Sequence, residues 1–433
     1  MLCTLTLALL PAAIAPQSAT ATTSDASAQD LGALARRVAE LEANNAELNR
    51  RLDLLSEDVE AVDLGGLFTP VGDGTRGLAP AASKVYYASS PLSIGGYGEM
   101  VYTNEQGGTG TDQLDFLRAI LYVGYKFDDQ WLLNTEFEFE HATVEDNNDG
   151  SGDTTPGSVS VEFAYVEYLA TDNFSVRAGL LLIPMGFVNE LHEPTTFFSA
   201  GRPELEQRII PSTWRENGIG VTGSSEDFEY RVYVVNGFDA EGFSSDGLRG
   251  GRQKGGKAKA EDWAIVGRAD YVGTTGLLAG VSAYHGASGQ GAAGVGSVST
   301  TIYDAHVQYQ TGPLRLRGLY AMAEIDDTAA LNAAFGNNVG EQMGGYYLEA
   351  GYDVLEGGDQ SLTPFVRFES FDTQQGDLLG GAIDDPAGDR ESWTFGLAWQ
   401  PIDQVVVKAD YVDADNGADS GQDLFRLSLG YIF

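Results

Sequence analysis

Residues 131–140 read Trp131-Leu132-Leu133-Asn134-Thr135-Glu136-Phe137-Glu138-Phe139-Glu140. The odd positions are aromatic or aliphatic apart from Thr135, and the even positions end in three carboxylates. Successive side chains of a strand point to opposite faces, so this segment has one apolar face and one acidic face. A soluble sandwich also alternates, but it rarely places so many Tyr, Phe and Trp at strand ends. A membrane barrel does so, because its outer face meets lipid, its inner face meets water, and aromatics gather at both interfaces.

Working outward, runs of the same texture cover 92–103, 115–127, 130–144, 159–171, 174–185, 217–224, 228–237 and 262–272. The second half supplies 277–287, 300–310, 314–325, 344–355, 362–371, 391–400, 404–412 and 423–433. That makes sixteen, an even number. Short connections such as Asp128-Asp129, Asp172-Asn173 and Thr311-Gly312-Pro313 alternate with long ones, which matches the short periplasmic turns and longer outer loops of outer-membrane barrels. The expected fold is all-β, a sixteen-stranded antiparallel transmembrane barrel over residues 91–433. Sixteen strands enclose a lumen too wide for side chains to fill, so a water-filled channel is expected. Phe433, after the outward-facing Phe425, Leu427, Leu429 and Tyr431, is similar to the C-terminal aromatic signal of such barrels.

The N-terminal part has a different organisation. Residues 1–28 contain a short apolar core (Leu5, Leu7, Leu9, Leu10) and small-residue cleavage patterns, and they read as a secretory signal peptide. The single cysteine, Cys3, would leave with it. Residues 29–64 carry heptads, with Leu31, Val38, Asn45, Leu52 and Val59 at a and Leu34, Leu41, Leu48, Leu55 and Val62 at d. An α-helical coiled coil is expected there, a rod of roughly 50 Å, with the polar Asn45 setting register. The turn alternation puts this segment in the periplasm. Residues 65–90, rich in Gly, Ala and Ser, read as a linker.

The connection between the fifth and sixth runs is about thirty residues long, a length typical of functional loops. It holds Phe187, Phe197, Phe198, Trp214 and many Arg and Glu, unlike a solvated linker. Residues 187–215 are expected to fold into the lumen as a constriction. Around it stand Arg177-Ala178-Gly179, Ile183-Pro184-Met185-Gly186, Glu206-Gln207-Arg208 and Arg215-Glu216-Asn217-Gly218-Ile219-Gly220-Val221. These motifs resemble the phosphate-selective porin O/P family of Gram-negative outer membranes. The resemblance implies a homotrimeric sixteen-stranded pore with a periplasmic N-terminal helix, passing small hydrophilic solutes or inorganic anions such as phosphate. In the strand before Pro184, where such porins often carry Gln and Lys, this chain has Leu180 and Leu182.

Alternation assigns the charges expected to line the lumen. The basic candidates are Arg118, Lys126, Arg177, Arg231, Arg268, Arg315, Arg317, Arg367, Lys408 and Arg426. Their acidic counterparts are Glu136, Glu138, Glu140, Glu229, Asp270, Asp304, Glu349, Asp353, Glu369 and Asp410, so the wall is balanced overall. Arg202, Arg208 and Arg215, three guanidiniums in one loop, are the candidate anion site, or else partners of Glu190, Glu193, Glu204, Glu206 and Glu216. The basic residues Arg249, Arg252, Lys254, Lys257 and Lys259 read as a mouth loop that gathers anions or meets lipopolysaccharide, or as a solvated loop. The acidic stretch 145–153 lacks EF-hand spacing.

No cofactor and no metal site are expected, and no catalytic residue is nominated. The four histidines (His141, His192, His285, His306) lie on separate segments, and no nucleophile motif occurs. The net charge of −38 excludes nucleic acid as a partner. The alternative function is structural, with the coiled coil tethering the outer membrane to peptidoglycan.

Overall fold

The alternating runs build sixteen β-strands in a computed structural model that describes residues 26–61, 69–107, 111–143, 157–375 and 384–433. Residues 1–25 of the expected signal segment, Gly65-Gly66 and the acidic stretch 145–153 lie outside the described residues. The chain divides into two compact units, Met1–Asp63 and Leu64–Phe433.

The first unit contains helix α1, Ala26–Ala61. Its heptad positions Leu34, Val38, Leu41 and Leu48 are exposed along one seam. Arg37–Glu40, Arg50–Glu47 and Arg51–Glu47 ion pairs at helical spacing lie outside it. A helix with polar flanks and an uncovered apolar seam is what one strand of a coiled coil presents.

In the second unit the strands are β1 Leu92–Gln106, β2 Gln113–Lys126, β3 Trp131–Glu140, β4 Val159–Thr171, β5 Phe174–Leu182, β6 Arg215–Ser224, β7 Phe228–Asn236 and β8 Trp263–Thr274. They continue as β9 Leu277–Ala287, β10 Ser299–Thr311, β11 Leu314–Ile325, β12 Gln342–Tyr352, β13 Ser361–Gln375, β14 Asp389–Ile402, β15 Val405–Asn416 and β16 Asp423–Ile432. Each pairs antiparallel with its neighbours in sequence, and β1 pairs with β16 to close the barrel. Phe433 and Gly96 exchange backbone hydrogen bonds at 2.9 and 3.0 Å across that seam. A Cβ on Gly96 would meet the Ile120 carbonyl of the neighbouring β2 at 2.2 Å and the Phe433 ring at 2.7 Å, so this position needs glycine.

The two faces separate as the period of two requires. In β3, Trp131 and Phe139 are exposed while Leu132, Asn134, Glu136 and Glu138 are buried inward. Outward residues such as Leu348, Val281, Ile265 and Phe395 make an apolar belt, with Trp131, Tyr168, Tyr125, Phe127, Phe228 and Tyr271 clustered beside the short turns. Among the described residues no helix is long and apolar enough to cross a membrane.

The interior is filled from both ends. The second half of the segment read as a linker is packed against the barrel wall, with Leu78, Ala81, Ala82, Ser83 and Val85 all buried. It ends in the single-turn helix α2, Lys84–Tyr87. Arg76 donates to the Asp172 carbonyl, and Lys126 donates to the Ala88 carbonyl, both at short-turn ends of strands. This segment is therefore a plug at the short-turn end. From the other end the 183–214 connection crosses the lumen, and the 237–262 loop packs on it. Trp214 stacks on Phe238 at 4.4 Å and touches Tyr284 at 4.9 Å.

Candidate functional site: the neck of the barrel

The lumen loop is a built element. Asn189 staples its two ends: its amide donates to the carbonyls of Ile183 and Trp214, and its oxygen accepts the Trp214 N–H at 2.6 Å. Glu206, on the single-turn helix α3 (Leu205–Arg208), accepts from the amides of Phe187 and Val188 at 2.7 and 2.8 Å and from the Tyr347 hydroxyl at 2.7 Å. Gly186 takes the left-handed φ of 63° that this first turn requires. Glu193 accepts the amides of Ala81 and Ala82 at 3.1 and 3.0 Å, joining loop to plug. Burial pushes the Glu193 carboxyl up to about 7, with the two amides acting in the opposite direction.

The loop then runs to the far wall. Thr196 meets Arg317 on β11, the Ser199 carbonyl accepts from Lys408 on β15 at 2.9 Å, and the Ala200 amide donates to Asp410 at 2.6 Å. Arg367 on β13 reaches the Ser199 hydroxyl, and Leu205 donates to Glu369. Phe197 lies beneath the Lys408 ammonium at 3.8 Å, and Phe198 beneath the Arg315 guanidinium at 3.6 Å. A cavity of about 550 Å³ lies on the short-turn side, with Thr196, Arg231, Gln308, Arg315 and Arg317 in its wall. A second, of about 320 Å³, is lined by Arg202, Glu204, Arg367, Glu369, Arg390 and Arg426. The loop segment from Thr196 to Arg202, opposed by β11, β13, β15 and β16, is the neck.

The three loop arginines do not converge there. Arg215 begins β6 and is held by Glu162 at 2.6 Å, the Val161 carbonyl and the Ser160 hydroxyl. Arg208 pairs with Asp246 of the neighbouring loop. Only Arg202 faces a cavity, and its Nη2 is buried without a hydrogen-bond partner. Burial, followed by the nearby Arg118, lowers its affinity for a proton. The acidic neighbours also take other partners: Glu190 holds Arg231 at 3.1 Å, Glu204 holds Arg390 at 3.3 Å, and Glu216 accepts from Asn236. The reason is distance along the loop, since residues 202, 208 and 215 belong to its far end, its helix and its return strand.

Arg118, Glu136, Glu138, Arg177, Arg231, Arg268, Arg317, Arg367 and Lys408 are buried, Lys126, Glu140 and Arg315 are half-buried, and Asp353 lies in the turn after β12, where it accepts the amides of Leu355 and Leu362. Arg118 lies between Glu99 and Glu138, Glu140 accepts from Ser158, and Arg177 is locked by Glu167 and the plug residues Arg76 and Tyr86. Arg231 and Arg268 share Asp270 and Glu190. Lys126 caps the plug, and Glu136 lies 3.3 Å from His192. Arg367 pairs with Glu369 and Glu349, and Arg426 with Asp410.

Arg202, Arg315, Arg317 and Lys408, by contrast, form no ion pair with a described residue. Arg317, Lys408 and Arg315 bond to neutral oxygens or aromatic faces, and Arg315 Nε has no hydrogen-bond partner. The wall is balanced on the β2–β8 side and has excess positive charge at the neck.

Leu180 and Leu182 do not line this route. Leu182 is in the apolar cluster with Trp214 and Phe238, and Leu180 lies beside Gly255. Of the basic loop, Arg252 turns inward onto the Ser212 and Thr213 carbonyls and Arg249 onto Ser212, while Lys259 pairs with Asp239. Sequence reasoning missed Glu99, Glu162 and Glu167 as inward acids. In β4 the alternation reverses at a bulge, where Glu162 and Phe163 are consecutive and both buried.

A protein of Aquifex aeolicus (strain VF5), described as uncharacterized, is 34% identical over 373 residues, spanning 82% of this chain and 83% of that one. The chain belongs to that protein's family. No family model matches the sequence. Among solved structures the barrel is similar to Salmonella typhi OmpF in complex with daunomycin, with a TM-score of 0.52 and 15% identity over 79% of this chain and 97% of that one. It is also similar to a loop L8 deletion mutant of OmpT, an outer membrane protein of Vibrio cholerae (TM-score 0.51, 13% identity, 79% and 99% covered). The fold is therefore that of outer-membrane porins.

Proposed function

We propose that this protein is a porin of the Gram-negative outer membrane, passing small hydrophilic solutes by passive diffusion and favouring inorganic anions such as phosphate at its neck. The observation that carries this reading is that Arg315, Arg317 and Lys408, which hold the loop segment Thr196–Ser199, and Arg202 farther along the same loop, form no ion pair with a described carboxylate. Low-dielectric walls strengthen the field of such a cluster, and an uncompensated, partly desolvated cation gains most from a passing anion. Forked guanidiniums suit tetrahedral oxyanions.

The N-terminal helix belongs on the periplasmic side in this reading, with the short turns. Its exposed seam supports self-association, and the phosphate-porin resemblance supplies the number, a homotrimer. Lipopolysaccharide would meet the outer rim of the barrel. Liposome swelling tests the permeation claim. Small anions are expected to enter faster than cations of matched size, with a sharp size limit set by the narrow neck. Equal rates for both signs would sink the anion preference, and vesicles that do not swell at all would sink the channel.

A further inference from the structure

We propose that Glu136, Glu162 and His192 form a binding site for one divalent first-row transition-metal ion of the zinc class, which latches the lumen loop to the barrel wall. Glu136 comes from β3, Glu162 from β4 and His192 from the loop, so an ion here would tie three separate segments together. The first two are 0% exposed and His192 2%. One ligand atom from each lies within 4.8 Å of the others. His192 Nε2 is 3.3 Å from Glu136 Oε1 and 3.8 Å from Glu162 Oε2. A tetrahedral ion with bonds of about 2.0–2.2 Å separates its ligands by about 3.3–3.6 Å, close to the two separations from His192 Nε2.

Carboxylate oxygens of this cluster are left without hydrogen-bond partners. His192 Nδ1 donates to the Asn189 carbonyl at 2.9 Å, which leaves Nε2 facing the two carboxylates. With Nε2 unprotonated, three buried acceptors face one another. A proton on Nε2 would serve Glu136 Oε1, but Glu136 Oε2 and Glu162 Oε2 are also buried, and neither has a hydrogen-bond partner. Arg215 takes Glu162 Oε1 at 2.6 Å and leaves Oε2 directed at the histidine. Arg118 is engaged by Glu99 and Glu138, and it bonds to none of the free oxygens. One divalent ion held by Nε2 and one oxygen of each carboxylate engages both glutamates at once, whereas one proton on Nε2 serves only Glu136.

The backbone is shaped for this. Glu162 is the extra residue of a β3–β4 bulge, where the register shifts between Glu136 and Phe137. Bulges of this kind commonly re-aim a side chain. Imidazole with two carboxylates suits zinc and its first-row neighbours better than magnesium or calcium, which prefer all-oxygen shells. The three ligands come from segments far apart in sequence, so no spacing motif marks them.

The test uses the full chain refolded into detergent after chelator treatment, with Zn²⁺ or Co²⁺ as the probe and heat-modifiable gel mobility as the check of folding. The expected result is one zinc per folded chain and an intense visible Co²⁺ band of a four-coordinate ion. His192→Ala and Glu162→Gln should each lose more than about 100-fold in affinity, beyond what an outer-shell change removes. His192→Gln stands in if the alanine variant does not fold. The surface controls His141→Ala and His285→Ala should bind as wild type. A folded wild-type barrel that retains no zinc overturns the proposal. So does zinc binding that survives at His192 and Glu162 but falls with His141 or His285.

Discussion

At the residue scale, Glu193 couples the two elements that fill the lumen. Both of its carboxylate oxygens are engaged by plug amides, at 3.1 and 3.0 Å, in a fully buried setting. A hydrogen bond contributes about 0.5–1.5 kcal/mol net, and loss of these two leaves two buried N–H groups unsatisfied. Glu193→Ala should therefore free the segment from Thr75 to Ala88 while the barrel stays closed. Limited proteolysis would show new cleavage between residues 70 and 90, and single-channel current would rise. A variant as resistant as wild type would mean that Arg76, Tyr86 and Lys126 hold the plug without Glu193. Legibility at this scale was uneven. The inward direction of Glu136, Glu138 and Arg367 followed from parity alone. Glu162 and Glu167 cannot both follow from one alternation, because the bulge at Glu162 reverses parity between them. The pairing of Arg208 with Asp246, and of Arg215 with Glu162, depends on three-dimensional contacts that no local spacing encodes.

At the element scale, the strands were the most readable part of the chain, because one side of each meets lipid and the other the lumen. Runs 159–171, 277–287 and 314–325 coincide with β4, β9 and β11, and most others differ by a few residues at their ends. The plug was misjudged because its small residues look like a linker. They are small because the wall is close. A Cβ on Gly124 would meet Val85 at 2.5 Å, and one on Gly95 would meet the Ala81 carbonyl at 3.0 Å. The readable signal was the glycines on the wall, not the alanines on the plug. The outward face makes a direct prediction. Leu348, 59% exposed in the middle of β12, lies in the apolar belt, and Leu348→Arg should cost about 2–4 kcal/mol of refolding stability in lipid vesicles. The same change at Tyr352, at the strand end, should cost about 1 kcal/mol or less. Equal costs at both positions would contradict the assigned depth. Helix α1 forms a unit of its own. Removing residues 29–64 should leave conductance unchanged while lowering the temperature at which the oligomer dissociates on a gel. An unchanged dissociation temperature would remove the helix from assembly.

At the scale of the whole molecule, the net charge of −38 and the field at the neck point in opposite directions. Charge on wide mouths is screened beyond about 8–10 Å in physiological salt, whereas a narrow neck with low-dielectric walls focuses the field of the groups that line it. The loop and the plug both pack into the barrel interior, and under the proposed function a permeating anion would pass Lys408 and Arg315, which lie over Phe197 and Phe198. That the lumen would be narrowed by this loop was legible from its length and aromatics. Which cations remain without an acidic partner was not, since wall and loop charges balance in the sequence and only the pairing separates them. The reversal potential of purified protein in a planar bilayer under a potassium chloride gradient tests this most directly. The account predicts a potential with the sign of chloride permeation. In Arg202→Ala/Arg315→Ala/Arg317→Ala the anion-to-cation permeability ratio should fall by roughly tenfold, the low end of field focusing in a charged cleft. A cation-selective wild-type pore, or a folded triple variant that keeps the wild-type potential, would contradict it.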